Sequence, residues 1–187
     1  MSDRRAAIRR ERNEFRKIAK HKSPMGDMER AVAQGTLDGR VLAVCIICVI
    51  LKEHYSFGTK RLKRLIDLSN AEAGKFEQMA TQFNMQFYQE KMVERIRKVN
   101  LKFSVPNAKE KAYAMQKNAV FISSCSIMFI VLNQEFGFSS NSKGTGRTDW
   151  IMEYALNEFI RFNLNKEHSV NWYIKRLEEK TGVKLVD

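Results

Sequence analysis

The sequence predicts an all-α protein, a helical bundle with two buried apolar helices at its centre. Apolar residues recur at helical spacing along almost the whole chain, and no stretch alternates apolar with polar residues between hairpin turns. Two prolines in 187 residues leave few interruptions. A composition 44% hydrophobic and 29% charged is that of a folded chain, long enough for one domain with a sizeable core and too short for two.

In chain order, Ser2 caps a first helix to about His21, which Ser23, Pro24 and Gly26 end. A short polar helix over Asp27 to Gln34 follows, and Thr36 caps the first buried helix, which stops at Ser56-Phe57-Gly58 after Tyr55. Thr59 caps the next, with Leu62, Leu65 and Ile66 inward and a bend near Ser69-Asn70 or Gly74. From Asn70 to about Val99, Phe76, Met79, Phe83 and Phe87, extended loosely by Met92 and Ile96, mark the longest amphipathic helix. Pro106 pushes Val105 out of the α region, and Asn107 restarts a long helix, charged at first and apolar from Ala119. Residues 137–146, rich in Gly and Ser, form the one real loop. Thr145 or Thr148 caps a helix to about Asn165 with Ile151, Ala155, Phe159 and Phe162 on one face. Ser169 caps the last, with Val170, Tyr173, Ile174 and Leu177 inward and Gly182 as its stop.

The apolar runs 41–51 and 119–132 are 11 and 14 residues long, short of the roughly 20 that cross a bilayer core. They read as helices buried on every side, with a re-entrant segment as the alternative. The N-terminus is basic without an apolar stretch behind it, unlike a secretory signal. Cys45, Cys48 and Cys125 all lie inside the runs and behave as small hydrophobes, which fits a reducing cytoplasm. Cys45-x-x-Cys48 falls mid-helix instead of at a helix N-terminus, and His21, His54 and His168 stand singly, so no redox pair, metal or cofactor is expected.

The runs are followed by similar sequences. Aligning Leu51 with Leu132, an offset of 81 residues, pairs Val41 to Leu51 with Ile122 to Leu132 and Tyr55-Ser56-Phe57 with Phe136-Gly137-Phe138. After five extra residues in the second copy, Gly58-Thr59-Lys60-Arg61 matches Gly144-Thr145-Gly146-Arg147, and Leu65-Ile66-Asp67 matches Ile151-Met152-Glu153. The expected organisation is a basic arm over residues 1–22 and one helical domain over 23–187 containing two quasi-repeats, about 37–68 and 118–156, packed around a pseudo-twofold axis.

The corner sequences ILKEHYSFGTKRLKRL and VLNQEFGFSSNSKGTGR resemble the apolar helix, Glu-Phe-Gly-Phe-Gly and Arg-Leu pattern of small uncharacterised basic helical proteins from phages and prophages of Gram-positive bacteria. The resemblance spans about a third of the chain. His54-Tyr55-Ser56 departs from it in the first copy, and the Ser-rich loop dilutes the basic stretch in the second. It implies an accessory protein of bacterial cytoplasm and carries no activity with it.

The formal charge of +12 asks for a polyanionic partner. Half of it lies in residues 1–22, where nine Lys and Arg face three acidic residues. There Arg4, Arg5, Arg9, Arg10, Arg12, Arg16, Lys17 and Lys20 surround a narrow apolar face of Ile8, Phe15 and Ile18, suiting phosphate backbones or an acidic protein groove. The alternative is a solvated helix docked on the body, while a membrane surface would want a broader apolar face. The second candidate is Thr59, Lys60, Arg61, Lys63 and Arg64, crowded at a helix start whose dipole disfavours cations unless an anion is held there. Lys143 and Arg147 echo it, and side chains splayed into water are the plainer reading.

A helix-turn-helix over Arg61 to Phe83 is disfavoured, because Phe76, Met79 and Phe83 read as core. Trp150, Trp172, Tyr154 and Tyr173, spaced beside Ile151 and Ile174, read as buried instead of as stacking platforms. Lys109 to Lys117 and Glu178-Glu179 read as solvated faces. With no P-loop, GxSxG, HExxH or paired His/Cys cluster, the expectation is a non-enzymatic protein binding DNA or RNA through phosphates. The alternative is an interaction module or phage-encoded inhibitor docking on an acidic host protein; no membrane partner is expected, and a homodimer through the corners at Phe57, Phe136 and Phe138 stays open.

Overall fold

The computed structural model describes residues 26–75, 79–98, 107–141, 144–164 and 168–185, with side chains of 84–96 only in the second of these segments. Among them are six helices and no strand: α1 (Asp27–Tyr55), α2 (Thr59–Ala73), α3 (Met79–Lys98), α4 (Ala108–Phe136), α5 (Arg147–Leu164) and α6 (Val170–Thr181). The all-α expectation is met; the arm over residues 1–22 lies outside the described residues.

Helices α1 and α4, each 29 residues long, run parallel and in contact from end to end. Two glycines permit this. A Cβ on Gly35 would stand 2.6 Å from the Tyr113 carbonyl oxygen, and one on Gly39 would stand 2.5 Å from that of Lys117. Small residues four apart let two helix backbones approach more closely than any side chain allows. Gly35 and Thr36 therefore do not separate a short helix from a buried one, as the sequence suggested, but lie inside a continuous α1. The Thr36 hydroxyl donates to the Val32 carbonyl one turn back and accepts from Gln116 Nε2 at 3.0 Å.

Beyond the glycine crossing the apolar runs make the core: Leu42, Ala43 and 45–51 of α1 are buried against Cys125 and 128–132 of α4. By length and composition both helices could cross a bilayer, and here 67% of the apolar window of α1 is buried. Coverage of α4 is looser than expected, since Ile122, Ser123, Ser124 and Ile127 are only half-buried.

α2 returns antiparallel along α4, and α5 returns along both central helices. The Phe121 and Phe159 rings stack at 3.8 Å. α6 runs beside α1, where Arg176 meets Glu53, and at its end the Thr181 carbonyl accepts from Thr59 of α2. Asn107 and Ser169 cap their helices as expected, accepting from Glu110 N and Trp172 N. Three expected caps differ. Gly58 stands at the N-cap of α2, with Thr59 its first helical residue. Gly146 precedes α5, its carbonyl accepting from Trp150 N, while Thr145 bonds to Asn141 and the Thr148 hydroxyl is buried without a partner. α2 continues past Ser69-Asn70 to Ala73 and ends at Gly74, the other bend the sequence offered, so residues 70–73 belong to α2 and not to the long helix expected from Asn70. α3 is described over Met79–Lys98, and the side chains of Phe76, Met79 and Phe83 lie outside the described residues.

Candidate nucleic-acid interface

Each central helix ends in the same corner. Phe57 N donates to the Leu51 carbonyl at 3.1 Å, and Phe138 N to the Leu132 carbonyl at 3.0 Å. A left-handed residue makes the reversal, Ser56 with φ 54° and Gly137 with φ 68°. The turn tucks Phe57 and Phe138 inward, where both are buried and lie 5.8 Å apart. Around them Tyr55 meets Phe138 at 4.9 Å and Phe57 meets Phe136 at 5.3 Å. Exchanging the two aligned copies maps each of these pairs onto the other.

The basic residues surround this aromatic cluster. The Arg61 guanidinium lies 3.9 Å over the Phe57 ring; its counterpart, that of Arg147, lies 5.7 Å from Phe138. Arg64 stands 5.7 Å from Phe136 and bonds Glu135 at 2.9 Å. Lys60 and Lys63 are exposed. Thr59 takes no part, since its hydroxyl proton goes to the Thr181 carbonyl at 2.6 Å. The structure thus brings Arg61, Arg64 and Arg147 to one end of the bundle, though on rings and a carboxylate instead of at a single point before α2. Lys143 lies outside the described residues, as do Arg4, Arg5, Arg9, Arg10, Arg12, Arg16, Lys17 and Lys20.

A buried carboxylate fixes the second corner. Asp149 accepts from Ser140 Oγ at 2.6 Å, Asn141 N at 3.0 Å, Gly146 N at 3.1 Å and Lys91 Nζ at 3.0 Å. Burial alone would raise its pKa, but the bonds from Ser140, Asn141, Lys91 and Gly146 outweigh it and hold the carboxyl below its ordinary value. The loop before Arg147 is thereby pinned to the start of α5 and to α3.

Two groups of residues differ from their sequence reading. Trp150 and Trp172, expected inside, are 41% and 37% exposed, whereas Tyr173 is buried as expected and Tyr154 half-buried. Trp150 sits among His54 at 4.8 Å, Tyr154 at 5.3 Å and Tyr55 at 6.0 Å. Lys117, expected on a solvated face, is 6% exposed. Its ammonium donates to Asn163 Oδ1 at 2.7 Å and lies 4.6 Å from the Phe162 ring, and burial lowers its pKa to about 8 against the pull of Asp38. Asp38 accepts from Tyr113 Oη at 2.6 Å and Gln34 Nε2 at 2.7 Å.

Among the described residues no three His, Cys, Asp or Glu side chains gather as metal ligands. The three thiols are buried, and burial pushes Cys45 up to about 12. Comparison with family models, curated proteins and solved structures finds no match for this chain.

Proposed function

We propose that this chain is a binding protein for nucleic acid, held mainly through phosphates, and not a catalyst. The observation that carries the reading is the gathering of Arg61, Arg64 and Arg147, from segments far apart in sequence, around one aromatic cluster at the end of the bundle. Guanidinium groups are always charged and suit phosphate geometry, and the rings beneath limit the freedom these side chains lose on binding. The arm over residues 1–22 supplies further cationic reach. The resemblance of the corners gives the setting, an accessory protein of phage type in bacterial cytoplasm.

The test is binding to duplex DNA and RNA at two or more salt concentrations, for the full chain, for the chain lacking residues 1–22, and for the Arg61, Arg64 and Arg147 alanine variants. Each lost phosphate contact should flatten the dependence of log K on log salt by about 0.9 for duplex DNA. No binding at low salt would sink the proposal. A second reading, an inhibitor or interaction module on an acidic host protein, draws on the exposed Arg and Trp side chains, residue types that anchor protein interfaces. A stoichiometric protein partner surviving nuclease treatment of a bacterial lysate would favour it.

A further inference from the structure

Among the differences between the two corners, one lies in what ties the second helix across. Arg64 of α2 and Trp150 of α5 stand at equivalent positions, as do the residues they touch, Glu135 at the end of α4 and His54 at the end of α1. One copy ties its second helix across by an ion pair at 2.9 Å, the other by an edge-on ring contact at 4.8 Å. A polar side chain thus serves this position in the first copy, so packing alone does not call for tryptophan in the second. Trp150 nevertheless leaves 41% of its surface in water, against the ordinary cost of exposing apolar area.

The indole is held from several sides. His54 meets it at an interplanar angle of 71°, Tyr55 at 73° and Tyr154 at 33°. A ring so braced pays little entropy when a flat ligand covers it. One turn earlier on the same helix stands Arg147, exposed as well. Side chains three apart on a helix are neighbours, about 5–6 Å between Cβ atoms, which sets a cation and a π-face side by side as single-strand binding sites do. The bases of a duplex are stacked and closed to an indole.

We infer that Trp150 is a stacking platform for an unpaired base of single-stranded nucleic acid, with Arg147 holding a phosphate of the same strand. The inference rests on the phosphate-binding reading above and adds the ligand class to it.

The experiment uses the full chain carrying W172F, so that Trp150 is the sole tryptophan. It is titrated with a short oligothymidylate, a uridine oligomer and a duplex of equal length, following both indole emission and affinity. Single strands should quench the emission; W150A should weaken their binding about 5- to 100-fold, the scale of one lost stacking contact. W150F should restore much of that loss, and duplex binding should stay within about twofold, which also reports that the variants fold. Unquenched emission, single-strand affinity indifferent to W150A, or equal losses on single strands and duplex would each overturn the stacking role while leaving phosphate binding standing. Failure of the unsubstituted chain to bind any of the three ligands at low salt would instead remove the reading beneath it.

Discussion

Ser56 and Gly137 hold the same left-handed backbone, φ 54° and φ 68°, each one residue before a buried phenylalanine that turns back under its helix. Glycine adopts this conformation without a Cβ penalty, and serine does not. Ser56→Gly should therefore raise stability by about 0.5–1 kcal/mol, and Gly137→Ala should lower it by a similar amount. Thermal melts resolve both, since about 1 kcal/mol shifts the midpoint by roughly 2–4 °C in a domain of this size.

Gly35 and Gly39 face the backbone of α4, not a side chain that swings aside. Each alanine variant should lose at least about 2 kcal/mol in urea unfolding, because α1 and α4 must separate along their crossing. Gly26, with nothing within 4 Å of an added Cβ, is the control and should change little.

Lys117 makes stability depend on pH in an unusual sense. Its folded pKa of about 8 lies below the ordinary 10.5, so the unfolded chain holds the proton to higher pH. The cost of burying the ammonium is therefore complete below about pH 8 and fades as pH rises toward 10.5. Measured against Lys117→Met, the unsubstituted protein should gain about 1–3 kcal/mol of relative stability across that window. A difference that stays flat with pH would contradict the buried charge.

Asp149 acts at the opposite end of the scale. Its folded pKa is depressed, so its contribution is present above the ordinary value of 3.8 and is lost as pH falls through the folded value. Asp149→Asn should cost about 2 kcal/mol near neutral pH, with Lys91 deprived of its carboxylate, and the two proteins should converge in acid. Acid unfolding followed by circular dichroism checks both parts.

What the sequence disclosed was local. The apolar runs, the caps at Asn107 and Ser169, and the matching aromatic corners follow from spacing and side-chain chemistry within a few turns; the structure places the caps and corners as read and buries the first run more fully than the second. The misreadings involve partners far along the chain. Gly35 has the look of a helix breaker until Tyr113 and Lys117 are set against it. Lys117 sits in a charged stretch, and Asp38, Asn163 and Phe162, all distant in sequence, make its interior position tolerable. Trp150 lies next to buried Ile151, and a helix turns about 100° per residue, so burial of one neighbour argued for exposure of the other. Of the candidate interface, the basic residues of the described corners were legible individually; their assembly around one ring cluster depended on α1 and α4 lying parallel.

That parallel pairing also fixes an order of events during synthesis. The apolar run of α1 ends at Leu51, and the α4 surface that pairs with it ends at Leu132, with α2 and α3 in between and α5 and α6 still to come. At about 5–20 residues per second, a ribosome leaves the first run without its mate for roughly 4–16 s. Nascent chains released before residue 132 should therefore be held by chaperones or aggregate, while full-length chains should not.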